Sequence, residues 1–207
     1  MPLYEYDCPR CGRFEVLQRL IELQLEPLSA RGAETPMDAA KTRAGARALA
    51  GAVMLTGKAI ICLPDGVHSP DRIDPRILLP DWSEAEIRSL LRTGLFDDIV
   101  YTSVRFRHRE IRELLGAEWA HELLGRPDGR AAVESLFFRE RYGEEVIVPR
   151  TRPMLTWLIL LDEEVRDKAL ALAPDIASEG GDPSRLPLDV RQAMLTNIVD
   201  RIATGQE

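Results

Sequence analysis

Apolar residues recur at helical spacing along most of the chain. In residues 37–56 an alanine-rich stretch sets Ala46, Leu49, Ala50, Val53 and Met54 on one stripe, and Gly57 is placed to close it. Residues 19–23 also read as helix. Ala59 to Leu63 is a short apolar run before Pro64-Asp65-Gly66, the pattern of a strand entering a turn. Residues 67–80 carry three prolines and two aspartates and read as a surface loop. Ser83-Glu84-Ala85-Glu86 is a capping box that opens a helix through Leu90 and Leu91, ending near Gly94. Residues 99–107 alternate as a β-ribbon, with Ile99, Tyr101 and Ser103 on one face, while Val104, Phe106 and His108 take the other parity. A further helix is predicted over 110–124.

Gly125-Arg126-Pro127-Asp128-Gly129 is the strongest break in the pattern and the expected domain boundary. Helices are predicted after it at 130–141, 154–161, 163–173 and 188–203. The expectation is a mainly α protein. A winged-helix-like unit with a short β-ribbon would occupy residues 19–126, and packed helical pairs residues 130–207.

Composition narrows the class without naming an activity. The 207 residues are 45% hydrophobic and 29% charged, too apolar for a disordered chain. The longest nearly unbroken apolar run, residues 154–161, is far shorter than the roughly 20 residues a bilayer span needs. With no secretory signal in view, a cytoplasmic protein is expected. The net charge of −7 argues against general nucleic-acid binding. The Arg105–Arg112 cluster, four arginines against one glutamate, is the basic patch that runs against that balance. Arg109 and Glu113 stand at ordinary i,i+4 spacing within the same stretch. Gly51 to Lys58 imitates a phosphate-binding loop, but its glycines are separated by one residue too many. Ala59 replaces the Mg²⁺-binding hydroxyl, and the segment lies in a helix. No serine, cysteine or lysine has a base at motif spacing, so no catalytic residue is nominated and no enzyme is expected.

Three cysteines make a disulfide framework a poor reading. Cys8-Pro9-Arg10-Cys11-Gly12 is a corner that can aim two thiolates at one zinc ion, with the glycine easing the turn. Tetrahedral zinc needs two more ligands, which Cys62 and His68 or a second copy of the chain would have to supply. Thiol redox chemistry is the other reading, but that motif opens a helix after a strand, and here it follows only Met1 to Asp7. Over residues 1–18, including Tyr4-Glu5-Tyr6-Asp7 and Arg13-Phe14-Glu15-Val16-Leu17-Gln18, the start resembles the first half of an FmdB-family zinc ribbon. That resemblance implies a regulatory protein holding zinc through Cys8 and Cys11, and a homodimer would pool four thiolates.

A second resemblance lies downstream. Phe106-Arg107-His108, Glu113-Leu114-Leu115 and Ala117-Glu118-Trp119 look like the F-x-H…E-x-L-A-A signature of NACHT-type STAND NTPases. Other blocks follow the same order: Leu63-Pro64-Asp65-Gly66, Leu78-Leu79-Pro80-Asp81-Trp82, Gly94-Leu95-Phe96-Asp97, residues 148–153 and Gly180-Gly181-Asp182-Pro183-Ser184. Residues 24–207 are thus similar to the winged-helix and following helical region of bacterial members, large proteins of phage defence and signalling. The resemblance implies that His108 takes the place of the histidine that touches the ADP β-phosphate. It also implies that the nucleotide-binding core lies upstream of these motifs. The chain is therefore expected to be a non-catalytic regulatory or interaction segment, a fragment or fusion without autonomous nucleotide binding. Its partner would be a protein or a nucleotide-binding domain in trans.

Overall fold

A computed structural model of the protein describes residues 12–25, 37–66 and 69–204. Cys8, Cys11 and His68 lie outside the described residues. In chain order the elements are α1 (Gly12–Leu25), α2 (Ala39–Thr56), β1 (Ile61–Cys62), α3 (Pro75–Leu78), α4 (Glu84–Leu91), β2 (Ser103–Val104) and α5 (Arg109–Leu124). They continue with α6 (Gly129–Phe137), β3 (Phe138–Arg141), β4 (Glu144–Ile147), α7 (Arg152–Leu158), α8 (Glu163–Leu172) and α9 (Leu188–Thr204). The protein is mainly helical, with two small antiparallel sheets, β1–β2 and β3–β4. Among the described residues no helix is long and apolar enough to cross a membrane. Residues 17–123 form one compact unit; residues 12–16 with 124–204 form another. Residues 12–18, the described part of the expected zinc-ribbon segment, are the first turns of α1.

In the unit of residues 17–123, α2 supplies the central stripe of Ala46, Leu49, Ala50 and Val53, all buried. Two of its glycines are packing notches. A Cβ at Gly51 would sit 2.6 Å from the Trp119 indole, and one at Gly45 would sit 2.6 Å from the Trp82 ring and 2.8 Å from Leu90. The apparent phosphate loop is thus a helix surface flattened to admit a tryptophan. Gly57, at φ 73°, closes α2 by donating its N–H to the Val53 carbonyl. Ser83 and Glu86 form the reciprocal capping box at α4, and Glu86 also accepts from Lys41. The Lys41 ammonium first, then the Ser83 amide and hydroxyl, hold the Glu86 carboxyl down to about 2. Arg43 on α2 bonds both carboxylate oxygens of Glu118 on α5, at 2.5 and 3.1 Å, and Gln18 on α1 donates to the same carboxylate. The segment expected to be wholly loop contains α3. Asp74 caps it by accepting from the Arg76 amide, and Pro75, which reads as a breaker, occupies the first helical position, where its fixed φ suits the helix.

The other unit differs from expectation at residues 138–141, which form strand β3 and not the end of a helix. Tyr142 (φ 56°) and Gly143 (φ 82°) turn the chain back. The β-branched Val146 and Ile147 of β4 then pair with Arg139 and Phe138. Met154, Leu155, Trp157 and Leu158 of α7 are buried, and Asp162 caps α8 by accepting from the Val165 amide while holding Arg130 at 3.0 Å. The acidic start of α8 is therefore a cap. Gly181, at φ 71°, is required: a Cβ would lie 2.3 Å from the Thr156 carbonyl oxygen. Next to it the buried Asp182 accepts from the amides of Phe14 and Ser184 and from the Ser184 hydroxyl. Burial opposes its ionisation, but these donors outweigh it and hold the carboxyl below the usual range.

Candidate functional site

The segment between α4 and α5 gathers the sequence features that point to function. α4 stops where Thr93 turns its hydroxyl onto the Leu90 carbonyl. The chain reverses at Gly94, whose amide donates to the Gln24 carbonyl. A hairpin follows. At its base the Phe96 and Phe106 rings pack at a 40° tilt with centroids 4.7 Å apart, and Arg107 donates from its backbone to Leu95 and from its guanidinium to the Phe96 carbonyl. The same guanidinium lies 3.7 Å from the Asp97 carboxylate.

The ribbon is not the regular alternation expected over 99–107. Asp97 pairs with Arg105, but Val100 pairs with Ser103, so the register slips by one residue at Asp98 and Ile99. That slip is a bulge. Beyond it Ser103 and Val104 turn their pairing to Cys62 and Ile61 of β1. At the tip, Tyr101 (φ 48°) and Thr102 (φ 59°) are both left-handed, as a two-residue type I′ turn demands. Such turns favour asparagine and glycine; a β-branched threonine there stores strain of about 1–3 kcal/mol. The strained tip is also apolar: Ile99 and Val100 are exposed, and Tyr101 is 88% exposed. A shallow groove of about 320 Å³, lined by residues including Leu91, Arg92, Phe96 and Asp98, runs beside the rising strand.

His108 stands between the ribbon and α5, and its carbonyl accepts from the Arg112 amide. Its imidazole is half-buried, and burial, reinforced by the neighbouring Arg107 charge, pushes it below the ordinary histidine range against the pull of Asp97. It is therefore neutral at neutral pH, with one N–H to donate and one lone pair to accept. Arg109, 73% exposed at its side chain, bonds the buried Glu113 at 2.5 Å. Arg112 is half-buried, its Nε without a hydrogen-bond partner among the described residues, and burial lowers its affinity for its proton. Arg105 and Arg107 remain exposed on the ribbon. The structure thus gathers an aromatic tip, exposed arginines and a neutral imidazole on one continuous segment.

The remaining sequence candidates do not join this segment. Cys62 meets it only through the backbone, pairing with Ser103 from β1 while its side chain is buried, and His121 is exposed on α5. Among the described residues no cluster of three or more histidine, cysteine or carboxylate side chains could hold a metal ion. Tyr101, expected on a strand face, sits instead at a turn that the sequence does not announce, because neither Tyr101 nor Thr102 is a turn-forming residue. The surplus of apolar residues at 99–101 was the available signal. Comparison of the chain with protein-family models, with curated proteins and with solved structures found no match.

Proposed function

We propose that the protein is a non-catalytic interaction segment of the kind that follows the nucleotide-binding core in NACHT-type STAND NTPases, and that it meets its partner through the hairpin of residues 97–109. The observation that carries this reading is the tip itself. Two consecutive left-handed residues, one β-branched, display Ile99, Val100 and Tyr101 to solvent. A strained apolar tip costs stability and solubility, and a binding role offsets that cost. Large aromatic residues are favoured anchors in interfaces, and Arg105, Arg107 and Arg109 supply the polar rim that surrounds such anchors. A nucleotide-binding domain in trans fits this surface, because exposed arginines and a neutral imidazole N–H suit phosphate oxygens.

A photo-crosslinking residue at position 101, compared with one at the equally exposed Tyr142, tests the reading in the cells that make the protein. The expected result is a position-101 adduct with a protein carrying a phosphate-binding loop, and none at 142. Equal labelling at both positions, or micromolar ADP binding by the isolated chain in a calorimetric titration, would overturn it.

A further inference from the structure

Helix α9 is long and almost uncovered. None of its described positions is buried, although a helix of this length in a globular protein ordinarily hides one stripe. One side carries Val190, Ala193 and Met194, which line a groove of about 280 Å³ with Leu170 and Pro174 of the same unit. The other side is the unexplained one. Leu188, Leu195, Ile198, Val199 and Ile202 are between 42% and 75% exposed. At 100° per residue they share an arc about 100° wide, whose nearer edge, Ile198, lies about 40° from the groove-lining Met194.

We infer that this outer face of α9 pairs antiparallel with the same face of a second copy of the chain. The spacing is self-complementary. Leu188 and Ile202 lie seven residues either side of Leu195, so a two-fold axis at Leu195 sets Leu195 against its own copy. The same axis sets each Leu188 against Ile202 of the second copy, the mutual arrangement that an isologous interface requires. Charge selects the direction. Arg191 lies inside the apolar arc, and its Nε is covered without a hydrogen-bond partner among the described residues. Parallel pairing would press the two Arg191 side chains together. Antiparallel pairing carries them about 12 Å apart, at 1.5 Å rise per residue, with each stem opposite a Val199.

A lipid surface fits less well, since membrane-surface helices have polar faces rich in lysine and arginine. The charged residues of α9 are Arg191 and Arg201 against Asp189 and Asp200, so the helix has no net basic charge. Pairing would bury on the order of 1,000 Å² in total, the lower edge of specific interfaces, which suits a weak dimer that forms only as concentration rises.

Analytical ultracentrifugation of the whole chain from roughly 1 to 300 µM tests the pairing. Wild type is expected to pass from monomer to dimer, and Leu195→Glu to shift the transition at least about tenfold higher. Circular dichroism serves as the folding control, since Leu195 is exposed. In a Cys8→Ser, Cys11→Ser background, which removes thiolates that two copies could share, Leu195→Cys is expected to crosslink to itself under mild oxidation. Leu188→Cys is expected to crosslink only when mixed with Ile202→Cys. A monomer throughout, or a dimer indifferent to Leu195→Glu, overturns the proposal. So does Leu195-dependent binding to anionic vesicles without dimerisation. The position-101 crosslink is read separately, so either result can fail without the other.

Discussion

Two hairpins in this chain solve the same geometrical problem with different residues. Both reverse direction through a two-residue turn with left-handed residues, and both lift an exposed tyrosine to the tip, Tyr101 in one and Tyr142 in the other. In the β3–β4 hairpin the second turn position is Gly143, with no atom within 4 Å of where a Cβ would stand. Its strands present Arg139, Glu140, Arg141, Glu144 and Glu145, charged residues that keep an exposed edge from pairing with other chains. Lys168 ties it down by bonding Glu145 at 2.8 Å and lying over the Phe138 ring. The Asp97–Arg105 hairpin has Thr102 where glycine belongs, a bulge where a ladder would continue, and three apolar side chains at its end. One hairpin is arranged for stability; the other keeps strain and apolar surface that stability alone would remove.

The largest test of that contrast is at the base of the strained hairpin. Phe96→Ala removes a buried ring packed on Phe106 and is expected to cost about 3–5 kcal/mol in denaturant unfolding, enough to threaten the whole unit. The tip changes are smaller and opposite in sign. Thr102→Gly relieves left-handed strain and is expected to stabilise by about 1 kcal/mol, raising Tm by roughly 2–4 °C. Gly143→Ala is expected to lower Tm by a similar amount, through the backbone alone. Equal effects of one sign would erase the comparison. Tyr101→Ser is expected to leave stability within about 0.5 kcal/mol of wild type. The same change is expected to abolish partner capture in a pull-down, and Tyr142→Ser to change neither.

The smallest effect concerns pH. Folding holds His108 below its unfolded value of 6.5, so the unfolded chain binds the proton more readily. The neutral imidazole's contribution is therefore complete above about pH 6.5 and is lost as pH falls through the folded value. Tm measured at pH 7.5 and 5.5 is expected to fall further in wild type than in His108→Gln.

Local chemistry was legible in the sequence, and long-range consequences were not. The Ser83–Glu86 capping box and the Gly57 closure are written in four or five consecutive residues, and the structure forms both. Residues 130–141 misread as one helix because Phe138-Arg139-Glu140-Arg141 has no decisive propensity. Its strand character comes from the Tyr142-Gly143 turn and the pairing with β4. Gly51 could be dismissed as a phosphate loop from spacing, but its purpose, room for Trp119, requires knowing that α5 crosses α2 there. His108 stood out by motif. The Tyr101-Thr102 tip did not, since neither residue signals a turn. The apolar spacing of α9 was visible too, but the same pattern suits a core helix, and only the structure leaves it uncovered.

Asp182 reaches back to the amide of Phe14, a partner 168 residues earlier. Arg185 lies over the Phe14 ring, 4.8 Å from its centroid, and pairs with Glu15. During synthesis at about 5–20 residues per second, the opening turn of α1 leaves the ribosome roughly 10–30 s before these partners exist. Until then the Phe14 amide lacks its Asp182 partner, and the Phe14 ring, whose centroid lies 6.5 Å from that of Trp157, lacks the Arg185 guanidinium. The opening turn of α1 is thus completed only when residues 182–185 have been made.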